Sequence, residues 1–170
     1  MILKIIGAIL VIAGCGGFGF KLAACHLREE KTLRQFISSL DFMECELQYH
    51  LTPLPALCRQ TAAESSGVIR QVFLLLAIEL EDQISPDVDR CMTAVLSKMA
   101  DIPRLTKTAM VNLGRSLGRF DMEGQIKGLD AIRQECRRNL DGLNQNKDVR
   151  LRSYQTLGLC AGAAIVILFI

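Results

Sequence analysis

Two uncharged, apolar stretches, one at each end, constrain what this chain can fold into more than any other feature. From Ile5 to Phe20 there are sixteen residues without a charge, and with Lys4 and Lys21 as snorkelling ends the stretch runs from Ile2 to Ala24. At 1.5 Å per residue, a helix of that length crosses a hydrocarbon core of about 30 Å. Ser153 to Ile170 supplies eighteen more uncharged residues, about 27 Å as a helix. The 50% apolar content owes much to these ends, as does the mean hydropathy of +0.27. The expected organisation is a membrane helix over 1–24, a central domain over 25–152 and a membrane helix over 153–170.

Orientation follows from the basic residues beside the spans. Lys21, Arg28, Lys31 and Arg34 follow the first, and Arg137, Arg138, Lys147, Arg150 and Arg152 precede the second; outside the pair there is only Lys4. This asymmetry predicts a cytoplasmic central domain in a protein of the cell membrane. Ile12-Ala13-Gly14-Cys15 also resembles the end of a bacterial lipoprotein signal. The chain stays apolar through Gly16, Gly17, Phe18, Gly19 and Phe20, which favours an uncleaved anchor over processing at Cys15.

Between the spans the apolar residues recur with a helical period. Leu33, Phe36, Ile37, Leu40, Met43 and Leu47 make one stripe, and Val88, Cys91, Met92, Val95, Leu96 and Met99 another. Thr52-Pro53, Ser85-Pro86 and Asp101 ahead of Pro103 read as helix starts, each a side-chain acceptor before a first-turn proline. Ser65-Ser66-Gly67 and Gly118 to Asp121 supply the other turns, with Gly118 suited to a left-handed C-cap and Asp121 to an N-cap. Six helices are predicted, over 27–50, 53–64, 67–83, 86–100, 102–117 and 122–146. The fold class is all-α, a six-helix antiparallel bundle flanked by N- and C-terminal transmembrane helices. Asn144-Gln145-Asn146 is either a polar hinge before the second span or part of one nearly continuous helix.

The chemistry-bearing residues point away from catalysis. Gly14-x-Gly16-x-x-Gly19 has dinucleotide-loop spacing but lacks the strand, the following helix and the acidic residue of a βαβ unit. Glycines in the spans, including Gly158 and Gly162, suit close packing of membrane helices, and a homo-oligomer is one outcome of such packing. Seven cysteines lie at least ten residues apart with no C-x-x-C, which is no zinc or disulfide framework. Cys45 or Cys58 with His50 lacks any accompanying oxyanion loop. The reading is of a non-enzyme without metal or cofactor.

Net charge is only +2, unlike a nucleic-acid-binding domain, yet it divides unevenly. Residues 21–100 hold eight basic and eleven acidic side chains, and 101–152 hold eleven basic and seven acidic. Arg104, Lys107, Arg115 and Arg119 fall in or just after one predicted helix. They either pair internally with the acidic half or form a docking face for a cytoplasmic protein. Glu79, Glu81, Asp82, Asp87 and Asp89 read as a solvated acidic junction.

Two segments carry a resemblance to a known family. Glu46-Leu47-x-Tyr49-x-x-Thr52-Pro53-Leu54-Pro55 closes the first predicted helix, and Leu117-Gly118-Arg119-x-Asp121-x-x-x-Gln125-x-Lys127 spans the last turn. Both are similar to the stage III sporulation protein AB family of endospore-forming bacteria, as are the length and the two apolar ends. The family looks like one cytoplasmic domain of the F platform protein of type II secretion machines. The resemblance implies a mother-cell membrane subunit of a transenvelope sporulation complex, with other stage III subunits and the AA-type ATPase as partners. Ala56 stands where the family often has an acidic residue, so a charged contact there is not implied. Without the resemblance, the same residues also suit a membrane-anchored adaptor or regulatory scaffold unrelated to secretion. Tyr49 is expected to pack its ring with the hydroxyl at the surface.

Overall fold

The computed structural model describes residues 2–50, 52–82, 87–118 and 122–145, with side chains from residue 25 onward. Six α-helices and no strand occur among the described residues: α1 Ile2–His50, α2 Leu54–Glu64, α3 Gly67–Glu81, α4 Val88–Lys98, α5 Arg104–Ser116 and α6 Met122–Gln145. Among these residues no helix is long and apolar enough to cross a membrane. The predicted span over 153–170 lies outside the described residues, and the predicted span over 1–24 lies where, from residue 2, only the helical backbone of α1 is described. The chain divides into two compact units, Glu29–Leu140 and the two chain ends, Met1–Arg28 with Asp141–Ile170.

The unit Glu29–Leu140 is a helical bundle built on the expected stripes. Leu33, Phe36, Leu40, Met43 and Leu47 of α1 are buried, as are Val88, Cys91, Met92, Val95 and Leu96 of α4, whereas Ile37 and Met99 are only half-buried. Phe36 stacks on Phe73 of α3 with ring centroids 6.5 Å apart and planes 16° from parallel. Fully burying such a side chain stabilises a fold by about 1.5–3 kcal/mol, so these stripes dominate what holds the unit together.

Side-chain links fix the helix directions. Two residues separate Glu64, which ends α2, from the start of α3, while Arg59, midway along α2, donates to Glu81 at the far end of α3, Nε to Oε1 at 2.8 Å. A methyl carbon built on Gly114, near the end of α5, would lie 2.8 Å from Met92 Cβ in the first half of α4. One on Gly128, early in α6, would collide with Ser116 at the end of α5. These three neighbouring pairs are therefore antiparallel. Arg133 of α6 reaches α1, donating to Asp41 Oδ1 at 3.0 Å and Glu44 Oε2 at 2.6 Å, and it also pairs with Asp130. Those carboxylates raise the Arg133 pKa, chiefly through the hydrogen bonds to Asp41 and Asp130.

The helix starts differ from expectation at the prolines. Pro53 and Pro103 occupy the N-cap positions themselves, and neither supplies a side-chain cap. A proline at that position has extended ψ, 143° and 145° here, so the helix starts after it, one residue beyond the predicted 53 for α2 and two beyond the predicted 102 for α5. Thus α2 and α5 begin at Leu54 and Arg104. The cap over α5 comes from elsewhere, Glu29 Oε1 accepting from the Leu105 N–H at 2.9 Å. The Ser85-Pro86 start lies outside the described residues; α4 is capped by Asp87, whose side chain accepts from the Asp89 N–H at 3.2 Å.

Candidate functional site

The end of α1 is tied to the turn that follows it by Glu46. Its Oε2 accepts from the Thr52 hydroxyl at 3.2 Å, and its Oε1 lies 3.4 Å from His50 Nδ1. The first contact holds Thr52 against the last turn of α1, and the second lies within that turn. Leu54 then enters α2, whose first backbone bond runs from Leu57 N–H to the Pro53 carbonyl at 2.9 Å.

The α5–α6 turn is built on Gly118. Its φ of +75° is a left-handed conformation that L side chains rarely adopt, and an added Cβ would lie 2.9 Å from Val88 Cγ2. Backbone and packing both require glycine. Leu117 before it is buried, 1% exposed, and anchors the turn in the core.

These two turns meet. Leu47, Thr52 and Leu54 from the first, with Gly118, Met122 and Gln125 from the second, line a cleft of about 230 Å³. Three of the six are large apolar side chains, and Thr52 and Gln125 add hydrogen-bonding edges. The volume falls below the roughly 300 Å³ at which cofactor and small-molecule sites begin. The cleft lies about 27 Å along α1 from Glu29, at the far end of this unit from where the chain enters it.

The cleft brings together residues that sequence alone could only place in two segments. Thr52, Leu54, Gly118 and Gln125 line it, Glu46 supports it from behind, and Leu117 lies buried under the turn. Pro53 is exposed, and Asp121 lies outside the described residues. Tyr49 departs from expectation: it is 73% exposed, because at two residues beyond Leu47 it falls off the buried stripe, and its ring does not pack. Met122, an unspecified position of the second family-like segment, is 38% exposed and forms a wall of the cleft.

The basic residues of α5 do not converge on the cleft. Arg104, Lys107 and Arg115 share the exposed face opposite Thr106 and Leu113, strung over about 16 Å of helix. Arg115 lies 3.7 Å from Asp89 of α4, so one of the three pairs internally with the acidic half. Arg104 and Lys107 form no ion pair among the described residues. Arg119, Gly158 and Gly162 lie outside the described residues. In the acidic junction Glu79 pairs with Lys98 and Glu81 with Arg59, while Asp82 and Asp87 remain exposed.

Burial sets the character of the thiols. Burial pushes Cys58 up to about 12 and Cys136 up to about 11, and raises Cys91 as well. A thiol at Cys58 therefore carries almost no thiolate near neutral pH, and pairing it with His50 would yield no nucleophile. Cys25 and Cys45 are exposed. Among the described residues no group of three or more His, Cys, Asp or Glu side chains is placed to hold a metal ion.

Comparison with known proteins agrees across three kinds of evidence. The family model described as stage III sporulation protein AB matches residues 4–170. A stage III sporulation protein AB of Bacillus subtilis (strain 168) is 24% identical over 172 residues, covering 98% of each chain. A solved structure titled stage III sporulation protein AB (SpoIIIAB) superposes with a TM-score of 0.61 at 18% identity, covering 72% of this chain and 98% of its own. At that identity the structural match speaks for the fold alone.

Proposed function

We propose, from the premise that the chain belongs to the stage III sporulation protein AB family, that it is a membrane-embedded platform subunit of a transenvelope sporulation complex. In this reading the two apolar ends cross the mother-cell membrane, and the helical bundle stands in the cytoplasm to receive the family's AA-type ATPase. Its role is anchoring, and no step of it calls for catalysis by this chain.

The observation that carries the reading is the convergence of the two family-like segments on one cleft. Residues more than sixty positions apart in sequence form a small, apolar, open recess with polar edges. That is the character of a site for a protein side chain. The exposed Arg104, Lys107 and Arg115 along α5 would steer an acidic partner toward the same domain.

Photo-crosslinking in sporulating cells tests this, with the reactive group placed at Met122 in the cleft and, separately, at Lys107 on α5. Capture of the AA-type ATPase or of sister stage III subunits from Met122 is the expected result. Capture of neither from either position, together with their absence when the full chain is purified in mild detergent, would overturn the platform reading and favour a regulatory adaptor.

A further inference from the structure

Helix α3 carries more apolar residues than the bundle uses. Ile69, Val72, Phe73, Leu76, Ala77 and Leu80 are buried, whereas Leu74, Leu75 and Ile78 on the opposite face are 41%, 36% and 43% exposed. The same face starts at Arg70 and Gln71 and ends at Glu81 and Asp82, all exposed. Glu81 is held by Arg59 of α2. Arg70 and Asp82 have no ion-pair partner among the described residues.

The order of these residues has a symmetry. Arg70 and Asp82 each lie six positions from Leu76, on either side, and Leu74 and Ile78 each lie two positions from it. Read from either end, the face presents a charge, then an apolar centre, then the opposite charge. A second copy turned antiparallel about a two-fold axis at the level of Leu76 would set Leu74 against Ile78 and Arg70 against Asp82, each pairing occurring twice. The antiparallel arrangement also opposes the two helix dipoles favourably. Within one chain Arg70 and Asp82 are about 18 Å apart along α3, so they cannot satisfy each other.

We propose that this face of α3 docks a second copy of the same chain, through an antiparallel α3–α3 contact with Leu74, Leu75 and Ile78 at its centre and an Arg70–Asp82 pair at each end. One helix from each side makes a small interface, below the roughly 800 Å² per partner of standard complexes. The dimer is accordingly an exchanging one, and its two charge pairs have leverage over it. A basic partner protein would meet Asp82 but be repelled at Arg70, whereas a second copy answers both charges.

Sedimentation of the full chain in mild detergent over a range of concentrations tests the contact. The wild type is expected to show a reversible monomer–dimer equilibrium. Asp82→Arg and Arg70→Asp each turn two attractive pairs into two repulsive ones and should raise the dissociation constant roughly tenfold or more. The double variant Arg70→Asp/Asp82→Arg restores opposite charges across the axis and should return to within about threefold of wild type. A wild type monomeric at every concentration overturns the proposal. So does a dimer indifferent to both single reversals, as expected if the membrane segments join the copies, or a double variant as weak as the singles. Helical circular dichroism confirms that each variant is folded.

Discussion

Glu29 and Leu105 are joined across 76 positions of the chain, the Glu29 carboxylate accepting the Leu105 N–H at 2.9 Å. Helix α5 starts behind Pro103, which has neither a backbone donor nor a side-chain acceptor. A residue of α1 therefore does what a local Ser or Asp does elsewhere, and it does so where an anion also favours the positive end of the helix dipole. Glu29→Ala should cost about 1 kcal/mol, in the range of a lost N-cap. Glu29→Gln retains an acceptor and should lose less. Amide exchange at Leu105 checks this directly, speeding up several-fold in the alanine variant and less in the glutamine one. Equal rates in all three proteins would show that the contact does not hold the helix start.

Gly118 and Gly67 both adopt positive φ, +75° and +58°, but only Gly118 is crowded. A Cβ on Gly67 meets nothing within 4 Å, while one on Gly118 lies 2.9 Å from Val88 Cγ2. Gly67→Ala should then cost only the left-handed backbone penalty, about 1–2 kcal/mol. Gly118→Ala should cost that and the displacement of Val88, about 2–4 kcal/mol together. Asparagine tolerates the left-handed conformation, so it should largely rescue position 67 and fail at 118. Thermal unfolding of the four variants separates these outcomes. Equal losses at the two glycines would mean that Val88 yields without cost.

How much of this was legible beforehand depends on the range of the interaction. The helices were readable because the burial of Leu33, Phe36 and Leu40, or of Cys91, Met92 and Val95, repeats every three to four residues. Gly118 was readable because its conformation is a property of its own backbone. The shifts of α2 and α5 past Pro53 and Pro103 arise from local geometry that the proline rule leaves open by a residue or two. What was not readable is whatever joins distant positions. Nothing near Glu29 signals that it caps α5, and nothing in either family-like segment says that Thr52 and Gln125 face one cleft. Tyr49 shows the limit of residue type as a guide: an aromatic ring in a recognisable segment invites a packed reading, yet its helical phase puts it in solvent. The line of Arg104, Lys107 and Arg115 was legible as a face with internal pairing as one of its two readings, but not which of the three would pair, and it is Arg115 that meets Asp89.

Burial predicts an unequal response of the thiols. Cys58 and Cys136 are raised to about 12 and about 11 by loss of solvent, while Cys25 and Cys45 are exposed. In the folded chain near pH 8, a thiol reagent should modify Cys25 and Cys45 quickly and Cys58 only as fast as the bundle opens. The same burial gives an alkaline limb to stability. The Cys58 pKa is raised above its ordinary value of 9.0, so its contribution is complete below that pH and declines as the unfolded thiol ionises between 9.0 and about 12. Cys58→Ala should flatten that limb, at the cost of a small cavity. Modification of Cys58 as rapid as that of Cys45 would contradict its burial.

Arg59 and Glu81 bind α2 to α3 at a pair that is half in solvent, with the side chains 50% and 42% exposed. The hydrogen bond from Arg59 holds the Glu81 carboxyl below its ordinary range. A depressed carboxylate contributes fully above the unfolded-state value, and the contribution fades as pH falls through the folded one. Glu81→Gln should therefore melt at a lower temperature than the wild type at pH 7. The gap should begin to close as pH drops below the ordinary glutamate range, and should vanish once Glu81 is protonated in the folded chain. Because the pair is exposed, strong salt should narrow the gap at pH 7 too, since the charges are screened over a few ångströms. A gap that is the same in acid, at neutrality and in high salt would mean that Glu81 acts through packing of its methylenes, and the charge pair would then have no part in holding α2 to α3.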